Sequence, residues 1–340
     1  GSLTTMTAQA VPAGGHAEPV VANPFGSNVT IISPDMSVTA ITDALKEISD
    51  KQLNDEMGTN RYAVLFRPGT YGTASEPLHF TLGYYTEVAG LGANPRDVTI
   101  NGSIDVYNRC LGENNTNCIA LDTFWRTLSN LTLKIDKSDE PNGCRAGADF
   151  WAVSQAVSMR RVDISGANLS LMDYCSAGPQ YASGGYIADS KLPFVISGSQ
   201  QQWLTRNSEV SGWSNGVWNQ VFSGVVGAPD DSAFPNPPYT TVAKTPLSRE
   251  KPYLYVDDAG TWFVRVPSAQ QNTSGISWAD GMTAGRSIPL SKFYIAKPTD
   301  PIGRINVALA QGKNLLFTPG VYNVDRTILV QRPDTVVLGL

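Results

Sequence analysis

Short apolar runs, separated by Gly, Ser and Asn, recur along most of the chain. Val98–Ile100, Leu131–Ile135, Val162–Ile164, Gly185–Ala188, Trp203–Thr205 and Val217–Phe222 have strand length and strand-forming composition. Within Arg161-Val-Asp-Ile-Ser165 apolar and polar residues alternate, the mark of a strand with one face buried. Several of these runs lie roughly 20 to 30 residues apart, the length of one solenoid turn. A helical period shows in two places. Ile41, Ala44, Leu45 and Ile48 share one face of a helix that Ser37 can cap. Ile305, Ala308 and Leu309 do the same in a second helix, with Asp300 as its cap and Pro301 at its first position.

Each helix leads into the same unit. Leu65-Phe66-Arg67-Pro68-Gly69-Thr70-Tyr71 returns as Leu316-Phe317-Thr318-Pro319-Gly320-Val321-Tyr322, and Glu87-Val-Ala-Gly-Leu-Gly92 is echoed by Val336-Val-Leu-Gly-Leu340. A buried strand (Ala63–Phe66, Leu315–Phe317) follows the helix. A Pro-Gly corner then turns the chain, because Pro fixes φ and Gly accepts positive φ. A helix laid over the open end of a coiled β-stack shields its apolar end and unpaired edge from water. A β-sandwich would also have short, regularly spaced strands; the duplicated start favours the solenoid. The predicted fold is all-β: a right-handed parallel β-helix with a capping helix, plus the start of a second β-helix. Residues 1–24 read as a flexible lead-in, 25–227 as the first β-helix domain, 228–299 as a linker or excursion, and 300–340 as the start of the second domain. In the excursion Pro becomes frequent and the period fades, and Tyr253–Arg265 reads as a small hairpin turning at Asp258-Ala-Gly260. A whole second module needs many more residues, so the 340-residue chain reads as a truncated or processed part of a longer protein.

Composition narrows the classes. Charged residues make up 16 %, hydrophobic residues 41 %, and Gly (31) and Pro (22) are plentiful, as in turn-rich β proteins. With a formal charge of −5 the chain lacks the basic face that nucleic acid demands, so no nucleic-acid partner is expected. No apolar run of about 18 residues occurs, so no membrane span is expected. The four cysteines, Cys110, Cys118, Cys144 and Cys175, form no CxxC pair, and the chain has two His, so neither a metal site nor a cofactor is expected. Cys110 and Cys118 bracket a short loop that a disulfide would close, leaving Cys144 with Cys175; this is one of three connectivities. An even cysteine count, with Ala8-Gln9-Ala10 resembling a signal-peptide junction, points to a secreted protein.

The capped strand and Pro-Gly-x-Tyr start, used twice, resembles the pectate-lyase-like β-helix superfamily. The tandem arrangement is similar to glycoside hydrolase family 55, the exo-β-1,3-glucanases, over residues 37–225 and 300–340. The resemblance implies an extracellular glycanase that hydrolyses a β-glucan-like polysaccharide with inversion. Its implied partners are that polysaccharide and a second β-helix domain or chain completing the cleft. Phe150-Trp-Ala-Val-Ser-Gln-Ala156 resembles the family segment whose Gln helps hold the attacking water, which gives that role to Gln155. The family's proton donor is a Glu in the second domain, beyond residue 340.

Inverting cleavage needs an acid and a base about 6.5 to 9.5 Å apart. Gln155, Glu250 and Asp173 are the catalytic candidates, and each has a plainer alternative. Gln155 could be a polar rung or turn residue. Asp173, two residues before Cys175, could be a local structural carboxylate. Glu250 lies between Arg249 and Lys251, which would keep it ionised as a base or in an ordinary ion pair. Asp163 and Asp189, flanked by strand residues, read as solvated surface positions. Gln200, Gln201 and Gln202 could form rungs along the solenoid or contact sugar hydroxyls. Trp125, Trp151, Trp203, Trp213 and Trp218 fall in successive predicted coils, and indoles stack on sugar faces, although core packing is the plainer role for most. The substrate-binding candidates are therefore Trp151, Gln200, Gln202, Trp203, Trp213 and Trp218. No P-loop or HExxH motif occurs. Two readings compete with the hydrolase: a non-catalytic carbohydrate-binding or adhesion β-helix, and a Ca²⁺-dependent polysaccharide lyase, for which no tight Asp cluster is visible.

Overall fold

A computed structural model describes residues 23–119, 121–178, 180–198 and 201–340; most of the lead-in and Gln200 lie outside them. Nine parallel strands stack in chain order: β1 (Val29–Ile32), β2 (Tyr62–Phe66), β3 (Thr86–Gly90), β4 (Arg126–Ile135), β5 (Val157–Ser165), β6 (Gly184–Ala188), β7 (Gln202–Arg206), β8 (Gln220–Ser223) and β9 (Tyr239–Val242). Each strand pairs with its counterpart one coil away, which is the parallel β-helix the spacing predicts. Further ladders form the other faces of the coil, through Val98–Asp105, the distal halves of β4 and β5, Lys191–Ile196 and Glu209–Ser214. The register lines up Val64, Val88, Leu128, Met159, Ile187, Thr205 and Phe222 as one buried column inside the solenoid. The strand expected over Val217–Phe222 begins later, at Gln220; Val217, Trp218 and Asn219 form an exposed turn. The ladder also runs on into the segment read as an excursion, through β9.

At one corner of the coil Asn130, Arg161, Asp189, Asn207 and Gly224 occupy equivalent positions, all with φ between 47° and 61°. Left-handed backbone is unfavourable for side chains other than Asn, Asp and Gly, and cross-coil bonds hold it. The Asn130 amide donates to the carbonyls of Gly90 (3.0 Å) and Gly92 (2.8 Å), and Arg161 Nε donates to Asn130 Oδ1.

Helix α1 (Val38–Gln52) closes the end of the stack. Ser37 Oγ accepts from Ala40 N at 3.1 Å, and Ile41, Leu45 and Ile48 are buried in the solenoid core. Each such side chain contributes about 2 kcal/mol by leaving water. The second start repeats this plan, with β1's counterpart included. After the hairpin strands β10 (Tyr253–Val256) and β11 (Trp262–Pro267) and the strand β12 (Gly285–Pro289) come β13 (Phe293–Ala296), α2 (Ile302–Ala310), β14 (Asn314–Phe317) and β15 (Val337–Gly339), with β13, β14 and β15 parallel. Pro301, expected inside α2, is instead its N-cap. Asp300 does not cap it, because its carboxylate accepts from Lys297 N and Tyr294 Oη, both at 2.9 Å.

Both starts are locked in the same way. Tyr71 Oη donates to Ile32 O and Arg67 O, and its ring meets Phe66 edge-on at 5.0 Å. Tyr322 Oη donates to Ala296 O and Thr318 O, and its ring meets Phe317 edge-on at 5.0 Å. The glycine of each Pro-Gly pair is needed for space: a Cβ on Gly69 would stand 2.7 Å from the Pro34 ring, and one on Gly320 2.2 Å from the Pro298 ring. Tyr71→Phe leaves the Arg67 carbonyl without this donor, while Ile32 O keeps its bond from the Arg67 amide, and is expected to lower stability by about 1 kcal/mol. A shift in the urea midpoint at unchanged slope measures it.

The excursion has a packing role. β10, β11 and β12 form an antiparallel sheet. Its Leu254, Val256, Val264, Val266 and Ile288 pack with the outward Ala63, Leu65, Ala89 and Leu91 of the first stack and with Leu316 and Leu338 of the second start. Two disulfides are closed, Cys110–Cys118 and Cys144–Cys175. No helix of the described residues is long and apolar enough to cross a membrane.

Candidate active site

The outward side chains of β3–β9 form two columns down one sheet face. One runs Glu87, Thr127, Ser158, Tyr186, Leu204, Val221, Thr240; the other runs Ala89, Ser129, Arg160, Ala188, Arg206, Ser223, Val242. The hairpin sheet and the second start cover the upper end. Further down the face opens into a groove of about 560 Å³, lined by Gln155, Ser158, Arg160, Tyr186, Gln202 and Asn219 over Trp203 and Leu204. Gln155 and Gln202, both sequence candidates, therefore meet in one place. Among the described residues no carboxylate lines this groove.

Gln155 sits on a rigid mount. The backbone from Trp151 to Ser154 bonds to Ser170 O, Val106 O and Thr123 O, and Thr123 returns bonds to Ser154 Oγ and Ala152 O. The preceding strand, Ala148–Phe150, is pinned by two buried carboxylates. Asp105 accepts from Phe150 N and from the Lys137 ammonium at 2.8 Å, while Asp149 accepts from Ile104 N. Burial, and then the neighbouring Asp105 charge, push the Asp149 carboxyl well up. Gln155 itself is exposed at the groove edge and makes no hydrogen bond to the described residues.

The other candidates fall elsewhere. Glu250 grips Arg206 with both oxygens (2.8 and 2.9 Å), and Arg206 Nε donates to Tyr186 Oη at 2.8 Å. Arg160 lies over the Tyr186 ring at 4.9 Å. Burial opposes the Arg206 charge, but Glu250 outweighs it and holds the guanidinium protonated. Glu250 thus stands behind the groove floor rather than in it. Asp173 is buried and accepts from Arg145 (2.9 Å), Asn108 N and Cys175 N, which makes it the anchor of the Cys144–Cys175 loop. Trp151 and Trp213 are core residues, Trp213 meeting Phe222 edge-on at 4.9 Å; Trp203 is also buried in the core but borders the groove from beneath, beside Gln155 and Gln202. Trp218 is 48 % exposed in the turn beside Asn219. Gln200 lies outside the described residues, and Gln201 is buried, accepting from Trp203 Nε1.

Asp189 is fully buried, not the solvated surface position its strand context suggests. It accepts from Ser277 N and Oγ, both at 2.6 Å, and pairs with Arg161. Burial raises its carboxyl to about 6, with Arg161 opposing. The folded state thus holds a proton that the unfolded chain, with a carboxyl near pKa 3.9, gives up, so this group's contribution to stability is lost as pH rises through the window from about 4 to about 6. Relative to Asp189→Asn, the unsubstituted protein is expected to lose up to about 3 kcal/mol across that window, as urea unfolding at pH 4 and pH 7 would show. Glu87, Ser158, Arg160, Tyr186, Arg206 and Asn219 were not sequence candidates. Their signal is the cross-strand register, and Glu87 lies inside the duplicated motif itself.

This fold and groove place the chain. Residues 32–227 match the rhamnogalacturonase A/epimerase, pectate lyase-like family, and residues 293–340 match the LAM55 pectate lyase-like domain. The chain belongs to the pectate-lyase-like family of β-helix proteins. Within that class it is a family-55-like protein: it is 44 % identical over 317 residues to an exo-beta-1,3-glucanase of Streptomyces sp. (strain SirexAA-E / ActE), a match covering 93 % of this chain and 48 % of the relative. The structure of sacteLam55A from Streptomyces sp. SirexAA-E superposes with a TM-score of 0.82 at 44 % identity, covering 93 % of this chain and 53 % of that one. A variant of that protein in complex with glucose gives a TM-score of 0.81, also at 44 % identity, over 94 % of this chain and 53 % of the other. The chain spans about half the length of these relatives.

Proposed function

We propose that this chain is part of an extracellular glycoside hydrolase that cleaves a β-1,3-glucan with inversion, with Gln155 positioning the attacking water. The observation that carries the reading is the unpartnered Gln155 amide, rigidly mounted at the edge of a groove whose lining offers the amides of Gln202 and Asn219 and the Ser158 hydroxyl to sugar hydroxyls. An amide orients water through its C=O and NH₂ but cannot take up the proton. Since no carboxylate of the described residues lines the groove, we assign the general acid to a second β-helix unit facing it. The polysaccharide and that second unit are the partners of this reading. Two disulfides fit an oxidising, extracellular compartment.

The lack of a carboxylate in the groove also favours one alternative, a non-catalytic carbohydrate-binding β-helix. The full-length protein is tested on β-1,3-, β-1,4- and α-glucans, with the anomer of the first product followed by NMR. Release of the α-anomer from β-1,3-glucan alone is the expected result. Binding without release from any glucan would leave the binding protein.

A further inference from the structure

We propose that a second groove, between the first coils and the second start, is a saccharide subsite with Trp125 as its stacking platform and Glu87 and Arg61 as its hydrogen-bonding groups. The inference rests on the carbohydrate reading above and extends it along the sheet. This groove, about 300 Å³, is lined on one side by Arg61, Tyr85, Glu87, Trp125 and Thr127 and on the other by the Thr318–Gly320 corner and Tyr322. That is the lower end of the size range of ligand sites.

Tyr85 and Trp125 stand at equivalent corners, just before β3 and β4, with φ of 52° and 58°. Bulky side chains avoid this conformation, and where a fold imposes it the strain usually serves a site. The two rings stack with centroids 6.1 Å apart and planes 13° from parallel, and the Arg61 guanidinium lies 3.6 Å from the Tyr85 centroid. The stack is tied down: Tyr85 Oη donates to Glu56 O at 2.5 Å, and Arg61 Nη1 donates to the carbonyls of Gly58 and Asn60. Yet Trp125 is 49 % exposed. A fixed, strained, half-solvated indole adds little to the core; what it offers is a flat apolar face of the kind that pyranose C–H groups cover.

Glu87 makes no hydrogen bond or ion pair with the described residues, although it is half-buried at the groove wall. Burial pushes its carboxyl up and Lys251 opposes this; a half-buried carboxyl without a partner in the fold is open to a hydroxyl. The two grooves are consecutive. Thr127 is the cross-strand partner of Ser158, and Trp125 is one coil from Ala156, about 4.8 Å along the axis. A linear oligosaccharide held at Gln155 therefore reaches Trp125 with its further units.

The test is calorimetric binding of β-1,3-, β-1,4- and α-1,4-linked glucose hexasaccharides to the full-length protein and to Trp125→Gly, Glu87→Gln and the exposed control Phe234→Ser. Glycine accepts the Trp125 backbone angle without strain, so that variant should keep its melting temperature. Hexasaccharide affinity is expected to fall at least tenfold in the first two variants and to hold in the third. Unchanged affinity in Trp125→Gly overturns the subsite, whatever becomes of the hydrolase reading. Trp125-dependent binding of a β-1,4 or α-1,4 hexasaccharide supports the subsite and sinks the β-1,3 assignment. Binding of none of the three overturns the proposal.

Discussion

Gln155→Ala is expected to lower hydrolysis of β-1,3-glucan by about 10²- to 10³-fold, the usual effect of removing one preorganised polar group from a reacting centre. The loss should fall on kcat, with KM nearly unchanged, because the amide holds water and not sugar. Stability should not move: the side chain is exposed and bonds to nothing in the fold, while the backbone that carries it is fixed by Thr123, Val106 and Ser170. Gln155→Glu keeps an acceptor for the water and should retain more activity than the alanine variant. Steady-state kinetics beside thermal melts decide the matter. A variant that melts normally and hydrolyses normally removes Gln155 from the mechanism.

Glu250→Ala should be the most destabilising single change among the site candidates. It leaves the Arg206 guanidinium, mostly enclosed, without its bidentate partner, and an orphaned buried charge typically costs about 3–5 kcal/mol. Denaturant unfolding measures that loss. The groove should feel it as well, since Arg206 holds the Tyr186 hydroxyl and Arg160 rides on the Tyr186 ring. KM should therefore rise while the anomer of the product stays the same, which separates a positioning role from a chemical one. Glu250→Gln keeps the shape and some of the hydrogen bonding and should lose less on both counts.

The start unit was legible because each of its pieces carries its own local signal. Ser37 caps, Pro68 and Pro319 set the corner, Gly69 and Gly320 make room for a facing proline, and Tyr71 and Tyr322 reach back over it. The cap of α2 was misread because nearby groups compete for Asp300: the Lys297 amide and the Tyr294 hydroxyl take its carboxylate. In and out were hardest to tell where the backbone is irregular. Trp151 and Gln155 sit in one heptapeptide, yet the indole is buried and the amide is exposed, and no period-2 rule applies between them. Long-range pairings left no trace in a single sequence. Glu250 finds Arg206 from 44 residues away, and Asp189 finds Ser277 from 88. Both carboxylates looked solvent-facing or chemically available until their partners were in place.

The corner column has a consequence for engineering. The chain spends 31 residues between Asn130 and Arg161, 28 to Asp189, 18 to Asn207 and 17 to Gly224. Seventeen or eighteen residues thus suffice for a full circuit, and whatever an earlier circuit uses beyond that is loop. The segment from Asp136 to Gly147, between β4 and the Ala148–Phe150 strand and tied down by the Cys144–Cys175 disulfide, is part of that surplus. Such loops can be shortened, or exchanged with those of relatives, so long as the corner residues keep their places. Substrate preference in this architecture can then be retuned by cassette replacement, with the stacked frame left as inherited.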